Sequence, residues 1–296
     1  MKARAYAKVN LGLEVLFRRE DGYHELRTIL QTVDLYDRLS FESRSSGIEL
    51  DLPDLPGQEA PSLPTGSENL VVRAAERLAE RIGRPVGVRI ELQKRIPAGR
   101  GLGGGSSDAA VALLALNELW QAGLSYRDLS GLGAELGMDV PFFLFGGTAL
   151  GVGRGDEIFP LAHQVAVPIV LILPDFAIST AAAYRSLILT KRESSLTLHS
   201  FASSTFGGGN GLPDLTNDLE TATGEHLSSI NGHKQILLEL GAVASLMSGS
   251  GSAVFGIFDD EVVTRSAVQS LKGRGIHAIA TRTLAGNTYR ERLLEH

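Results

Sequence analysis

The stretch PAGRGLGGGSSDAA, Pro97 to Ala110, carries five glycines and two adjacent serines and runs directly into the apolar sequence VALLALNELW. Glycines ahead of a helix let the backbone come close to a ligand. The first helical N–H groups and the helix dipole then favour an anion there, a combination suited to phosphate. Pro97, Gly99, Gly101, Leu102, Gly103, Gly104, Gly105, Ser106 and Ser107 are therefore the first candidates for a phosphate loop, with the serines adding hydroxyl donors. The alternative is a tight strand-to-helix turn with Ser106 as N-cap, although an ordinary turn needs only one or two glycines. The Lys-Ser/Thr ending of the P-loop is absent, and Ser-Ser-Asp stands in its place. Gly99, Gly101 and Gly104 fit the dinucleotide fingerprint, but the nearest acidic candidate, Glu118, falls inside the following helix instead of closing a strand. The HRD and DFG companions of a protein-kinase glycine loop do not occur.

Other positions could share in the chemistry. Lys8 and Asn10 lie two apart in AYAKVNLGLEVLF, whose odd positions from Ala5 to Phe17 are apolar, so both project from the polar face of a half-buried strand. They are either a solvated face or a pair presented to a site. Asp139 opens DVPFF, either as N-cap of a short helix with Pro141 in its first turn or as a carboxylate free for acid–base work. Tyr23 and His24 follow an Asp21-Gly22 turn, at an exposed hairpin end or as an aromatic face for a ligand. Tyr184 sits in a predicted helix, where core packing is the alternative to ligand contact. Asn69 falls at the start of another helix. Lys94 and Arg95 precede the glycines, where they attract phosphate or simply end an exposed strand. SGSGS, Ser248 to Ser252 around Gly249, is a second glycine loop facing the site or a turn between strands.

These groups need a mixed scaffold. The Ala5–Phe17 strand, the turn at Gly22 and one or two returning strands over ELRTILQTVDLYDRLSF make a hairpin-rich opening. ENLVVRAAERLAERIG fits a helix stopped by Gly83. VGVRIELQKRI reads as a strand delivering the chain into the glycine stretch and its helix. Ser125 with Asp128 predicts a capping box on a helix running to Leu136. TALGVG, EIFPL and VAVPIVLILP are strand candidates, the last apolar enough for the middle of a sheet. A helix starts near Ser179-Thr180, and the low-complexity SFASSTFGGGNGLPD reads as a mobile insertion over 200–214. A helical region from Asn217 to about Leu240, strands at VASLMSG and AVFGIF, a helix at VVTRSAVQSLKGRG and a last strand at HAIATRTL follow. Strands and helices do not alternate strictly, so the expected class is α+β, with the chain divided into 1–160 and 161–296.

Composition narrows the function. Over 296 residues, 43% apolar content supplies a real core, and the absence of cysteine excludes disulfides, thiolate metal sites and cysteine nucleophiles. A net charge of −6 argues against general nucleic-acid binding, so an anionic ligand must be met locally. No apolar run reaches the length of a membrane span, and the N-terminus already alternates like a strand, so a cytoplasmic protein is expected.

Taken together, the motifs resemble the GHMP kinase superfamily, small-molecule kinases whose nucleotide loop differs from the P-loop. The likeness runs over AKVNLGLEV, DGYHELRTILQTVDLYD, ENLVVRAA, the glycine loop, GMDVPFFLFGGTALGVGRGDE, NDLE and SGSGSAVFG. The combination of KVNLGLEV, DGYHELRT and DVPFF is similar to the branch that acts on a cytidyl diphosphate alcohol. This resemblance implies the two-domain α+β GHMP kinase fold, with ATP and acceptor in the cleft between domains. It implies ATP-dependent phosphorylation of the 2-hydroxyl of 4-diphosphocytidyl-2-C-methyl-D-erythritol, giving the 2-phosphate and ADP, in the non-mevalonate route to isoprenoid precursors. It makes Asp139 the base and Lys8 the active-site lysine, and it places Asn10 and Gly249 in the acceptor pocket. Tyr23 and His24 become cytosine contacts and Tyr184 a second aromatic sandwiching the base. Asn69 becomes an adenine contact, and Lys94 joins the nucleotide site. Mg²⁺ is expected to bridge the nucleotide phosphates, with Ser107 as a ligand. A small cytidyl diphosphate substrate is the expected partner, with no nucleic acid, membrane or obligatory protein partner. Two residues depart from the pattern. Asp108 places a negative charge in the first turn of a phosphate-binding helix. Arg100 stands where the family often has a small residue. A kinase for another alcohol such as mevalonate or homoserine, and a non-catalytic nucleotide sensor, remain the rival readings.

Overall fold

The computed structural model describes residues 1–54, 63–161, 166–187 and 215–295. The predicted insertion over 200–214 lies outside the described residues.

Two long strands organise the first half, β1 (Lys2–Arg18) and β2 (His24–Arg44). Between them Gly22 takes a positive φ of 85°, and the Asp21 carboxylate accepts from the Tyr23 N–H at 3.0 Å, the Asx device that makes Asp-Gly a turn. β2 is a single strand, not two. β3 (Gly47–Asp51), α1 (Leu70–Ile82), β4 (Gly87–Gln93), α2 (Gly104–Leu119), α3 (Tyr126–Leu136), α4 (Val140–Phe145), β5 (Thr148–Val152) and β6 (Glu157–Pro160) follow. The predicted Gly83 stop is present as a left-handed C-cap on α1. Ser125 and Asp128 form the full capping box on α3.

The second half contributes β7 (Pro168–Ile172), α5 (Thr180–Ser186), α6 (Leu227–Glu239), β8 (Ala244–Met247), β9 (Val254–Ile257), α7 (Glu261–Gly273), β10 (Ala278–Arg282), α8 (Gly286–Leu293) and β11 (Leu294–Glu295). The region expected to be helical from Asn217 opens with two 3₁₀ turns, Asp218–Ala222 and Gly224–His226, before α6 begins.

A seven-stranded sheet has the order β11-β1-β2-β4-β3, with β5 paired to β2 and β6 to β5. Only the β3–β4 pair is parallel. The second sheet, β10-β7-β9-β8, is antiparallel, and its apolar strand β7 is central as predicted. α1 to α4 cover the first sheet, and α5 to α7 belong to the apolar cluster on the second. A third cluster joins Ala7, Val9, Leu11, Ile29 and Val33 of the first sheet to Ile169, Leu171, Phe255 and Ile257 of the second. β1 thus feeds all three cores, and register shifts flank Ala7 to Asn10, bending the strand where its polar residues are wanted.

Of the two readings of this strand's polar residues, the solvated face fails. Its polar face is not solvated: Lys8, Asn10 and Glu14 are all buried. The glycine loop lies over it, with the Lys8 N–H donating to the Leu102 carbonyl at 3.0 Å. The C-terminal α8 and β11, absent from the sequence reading, return to the first sheet. Tyr289 packs against Gly146 and donates its hydroxyl to the Phe143 carbonyl.

Candidate active site

α2 begins at Gly104, two residues before Ser106, the cap of the alternative turn reading. The N-cap is Gly103, at φ +70° and with no side-chain bond. A Cβ here would stand 2.8 Å from the Phe143 ring and 3.1 Å from Lys8 Cγ, so only glycine lets the loop lie this close to β1. The N–H groups at the start of a helix have no intrahelical acceptor, and at α2 those of Gly104, Gly105 and Ser106 belong to residues lining a cleft of 1210 Å³. Every predicted site residue lines this cleft except Ser107, whose fully buried hydroxyl has no hydrogen-bond partner. No helix among the described residues is long and apolar enough to cross a membrane.

The second glycine loop closes on the first. Gly101 approaches so closely that a Cβ would sit 2.0 Å from the Ser248 carbonyl oxygen, and Ser248 Oγ donates to the Gly101 carbonyl at 2.9 Å. SGSGS is both the turn between β8 and β9 and a wall of the cleft. Asn217 holds it there, its amide donating to the carbonyls of Met247 and Gly249 at 2.8 Å each. Arg100 spans the same join, donating to Ser252 Oγ and to the Asp175 carbonyl.

Asp139 is the N-cap of α4 by position, yet its side chain makes no capping bond. The carboxylate is directed at Lys8, with Oδ2 3.4 Å from Nζ. Lys8 is almost wholly buried whereas the Asp139 side chain is about one-third exposed, so the pair opens to the cleft on the aspartate side. Lys8 Nζ donates to Asn10 Oδ1 at 2.6 Å, Asn10 Nδ2 to Thr28 Oγ1 at 2.8 Å, and Thr28 to the Gly12 carbonyl at 2.8 Å. This relay fixes the ammonium from behind, and Gly249 brings the second loop within 3.2 Å of it at a hypothetical Cβ.

Further along the cleft, His24 and Tyr184 stack with ring centroids 5.2 Å apart and planes at 22°. Burial, and then the nearby Arg18 charge, hold His24 below the ordinary histidine value of 6.5. Burial, followed by the Asp139 charge, pushes the Tyr184 phenol up. Tyr23 is exposed and lies under Arg154, whose guanidinium is 5.2 Å from the ring centroid. Tyr184 therefore pairs with His24, not with Tyr23. At 5.2 Å between centroids the two rings contact each other and leave no space for a third ring between them.

Asn69 is the N-cap of α1. Its Oδ1 accepts from the Val71 N–H at 2.9 Å and its Nδ2 donates to the Pro64 carbonyl at 2.8 Å, leaving one lone pair and one hydrogen for a ligand. Lys94 is not an exposed strand end. It is buried, donating to Asp37 and, at 2.7 Å, to Asp108. Asp108 thus spends one carboxylate oxygen on Lys94, although both residues line the floor of the cleft. Burial, opposed by Lys94 and reinforced by Asp37, pushes its carboxyl up to about 8. Burial alone would lower Lys94, but Asp108 and Asp37 outweigh it and hold the ammonium raised. Arg18, Arg154 and Arg185 also line the cleft, and sequence reasoning misses them. They come from three separate segments, and nothing in the local spacing of any one signals the others.

The arrangement, an anion-binding helix start beside a carboxylate–ammonium pair and an aromatic pair, fits phosphoryl transfer to an alcohol. The sequence models for the GHMP kinases N terminal domain and the GHMP kinases C terminal match residues 69–147 and 208–276. The 4-diphosphocytidyl-2-C-methyl-D-erythritol kinase of Geobacter sp. (strain M21) is 43% identical over 285 residues, covering 95% of this chain and 98% of that protein. The enzyme of the same name from Moorella thermoacetica is 44% identical, with the same coverage of both. The crystal structure of a 4-(cytidine 5'-diphospho)-2C-methyl-D-erythritol kinase superposes with a TM-score of 0.83 at 40% identity, over 97% of this chain and all of that one. A homoserine kinase from Cytophaga hutchinsonii shares the fold, with a TM-score of 0.69 at 18% identity over 98% of this chain and 96% of its own. The chain belongs to the GHMP kinases and, among them, to the family of the 4-diphosphocytidyl-2-C-methyl-D-erythritol kinases.

Proposed function

We propose that this kinase transfers the γ-phosphoryl group of ATP to the 2-hydroxyl of 4-diphosphocytidyl-2-C-methyl-D-erythritol through the Asp139/Lys8 pair. The observation that carries the residue assignment is the carboxylate at 3.4 Å from a buried ammonium, uncapped and open to the cleft that the glycine loop also lines. Asp139 takes the hydroxyl proton as the acceptor oxygen forms its bond to the γ-phosphorus. The bridging bond to the β-phosphate breaks, and ADP leaves. Lys8, held by Asn10, places a positive charge beside the attacking oxygen and the phosphoryl group. The N–H groups of Gly104, Gly105 and Ser106 meet phosphate oxygens, and the Asn69 end of the cleft takes the adenine. His24 and Tyr184 offer the cytosine an aromatic face, and Arg18, Arg154 and Arg185 give the diphosphate its local cations.

Among the described residues no group of three or more metal-ligating side chains occurs. That suits Mg²⁺ carried in by the nucleotide, since this ion keeps several waters and is rarely caged by protein alone. When bound it would neutralise charge on the phosphates. The cleft-lining Ser106 and Asp139 would supply it with oxygen ligands, whereas Ser107 is wholly buried within α2. The reading carries with it a cytoplasmic location, no obligatory protein partner, and a division of the chain into 1–160 and 161–296.

The test is ADP release by the purified protein with ATP and Mg²⁺, comparing the cytidyl diphosphate methylerythritol acceptor, mevalonate and no acceptor. Release that depends on the cytidyl compound alone is expected. Release with mevalonate, or none with any acceptor while nucleotide still binds, would overturn the reading.

A further inference from the structure

The buried cluster of Asp37, Lys94 and Asp108 has no part in the chemistry above, yet it grips the glycine loop at both ends. Asp37, on β2, is wholly buried and does not line the cleft. Its Oδ1 accepts from the N–H groups of Arg95 and Ile96, the residues that lead into Pro97. Its Oδ2 accepts from Lys94 Nζ. Lys94 in turn donates to Asp108 on α2, the helix that leaves the loop, and its Nζ lies 3.3 Å from where a Cβ of Gly104 would be. An ammonium standing alone under a helix N-terminus is opposed by the dipole; the acceptor oxygens of Asp37 and Asp108 offset that. Two of its three N–H donors are already committed to them. Among the described residues the buried positions of α1 and α3, which pack near α2, are apolar, and Lys8 is engaged with Asp139 on the other side of the loop.

We propose that Asp37, Lys94 and Asp108 form a closed strut that sets the two ends of the glycine loop, so that Asp37 and Asp108 are positioning residues for the nucleotide and Lys94 acts through them. This rests on the reading that the loop binds ATP. It separates Lys94 from a lysine that simply attracts phosphate, because Asp37 cannot touch a nucleotide and yet controls its binding.

The experiment compares Asp37→Asn, Lys94→Gln, their double variant, Asp108→Ala and Asp108→Asn for KM of ATP, KM of the acceptor and kcat. Direct titration with ADP reads nucleotide affinity even if turnover is absent, so failure of the strut and failure of the assigned reaction stay distinct. Asp37→Asn should weaken nucleotide binding about tenfold or more while the acceptor KM stays within twofold. The double variant should bind nucleotide no worse than the weaker single one, as expected for groups acting as a unit. Asp108→Asn, which keeps an acceptor for Lys94, should recover most of the affinity that Asp108→Ala loses. Nucleotide affinity within twofold of the parent in Asp37→Asn, beside a tenfold loss in Lys94→Gln, would make Lys94 a direct ligand and overturn the strut. Equal losses for ATP and acceptor in Asp37→Asn would overturn it as general destabilisation. Should Asp37→Asn fail to fold, the Asp108 pair decides, and identical affinities in Asp108→Ala and the parent would sink the proposal.

Discussion

Two lysines flank the glycine loop, each paired with aspartate, and they differ in what is left open. Lys8 is buried but its partner Asp139, 3.4 Å away, is about one-third exposed and lines the cleft. Lys94 is enclosed by Asp37 and Asp108, both buried to within a few per cent, and each holds the ammonium at hydrogen-bond distance. Ionisable groups removed from water and held by one another are poor chemistry and good scaffolding, whereas a half-open pair keeps a lone pair and a proton acceptor available. The two N-caps Ser125 and Asp139 repeat the contrast. Ser125 spends its oxygen on the backbone of α3, while Asp139 makes no cap bond.

If that contrast is right, substitution at the open pair should strike turnover and spare the fold. Asp139→Asn should lower kcat by about 10³-fold, within the usual range for loss of a general base. Neither KM should move more than a few-fold, and thermal unfolding should be nearly unchanged, as read by steady-state kinetics beside calorimetry. Gly101→Ala should do the reverse, costing about 3 kcal/mol of stability through a methyl that overlaps the Ser248 carbonyl at a positive φ. Denaturant melts would show it, and the lost contact between the two loops would weaken both substrates.

At the aromatic end, His24→Ala should raise KM for the cytidyl acceptor about tenfold, roughly 1.4 kcal/mol, with KM for ATP unmoved. Because burial and Arg18 hold its pKa below 6.5, the imidazole is neutral at pH 7 and takes a proton only as pH falls below that value. The parent's acceptor KM should therefore be flat above pH 6.5 and change only on the acid side, a limb that His24→Ala removes. The smallest effect belongs to the cap that has no chemistry. Ser125→Ala should cost about 1 kcal/mol of stability with kcat intact.

Much of this was legible from local letters, because a glycine run before a helix, an Asp-Gly turn and a capping box are all set within a few residues. The residues that line the cleft were legible for the same reason, and the resemblance supplied the roles expected of them. What escaped depends on partners far along the chain. Lys94 reads as a surface base beside Arg95, and only Asp37, 57 positions earlier, shows that it is buried. Asn217 stands in the quoted NDLE motif, but its work on Met247 and Gly249 spans 30 residues and more. α8 offers only Tyr289 and Leu293 to the core, too few apolar positions to mark a helix. The alternative reading of the glycine stretch put Ser106 at the cap because serine is the common choice, whereas the close approach of Phe143 and Lys8 demands Gly103 there.

The central claim, that Lys8 and Asp139 act as one unit in turnover, is tested most directly by a double-mutant cycle on kcat/KM of the acceptor with Lys8→Met, Asp139→Asn and the two combined. The account predicts that the combined variant is no slower than the worse single one, with all three retaining parent-like ADP affinity. Losses that multiply, or a near-normal kcat in Asp139→Asn, would contradict it.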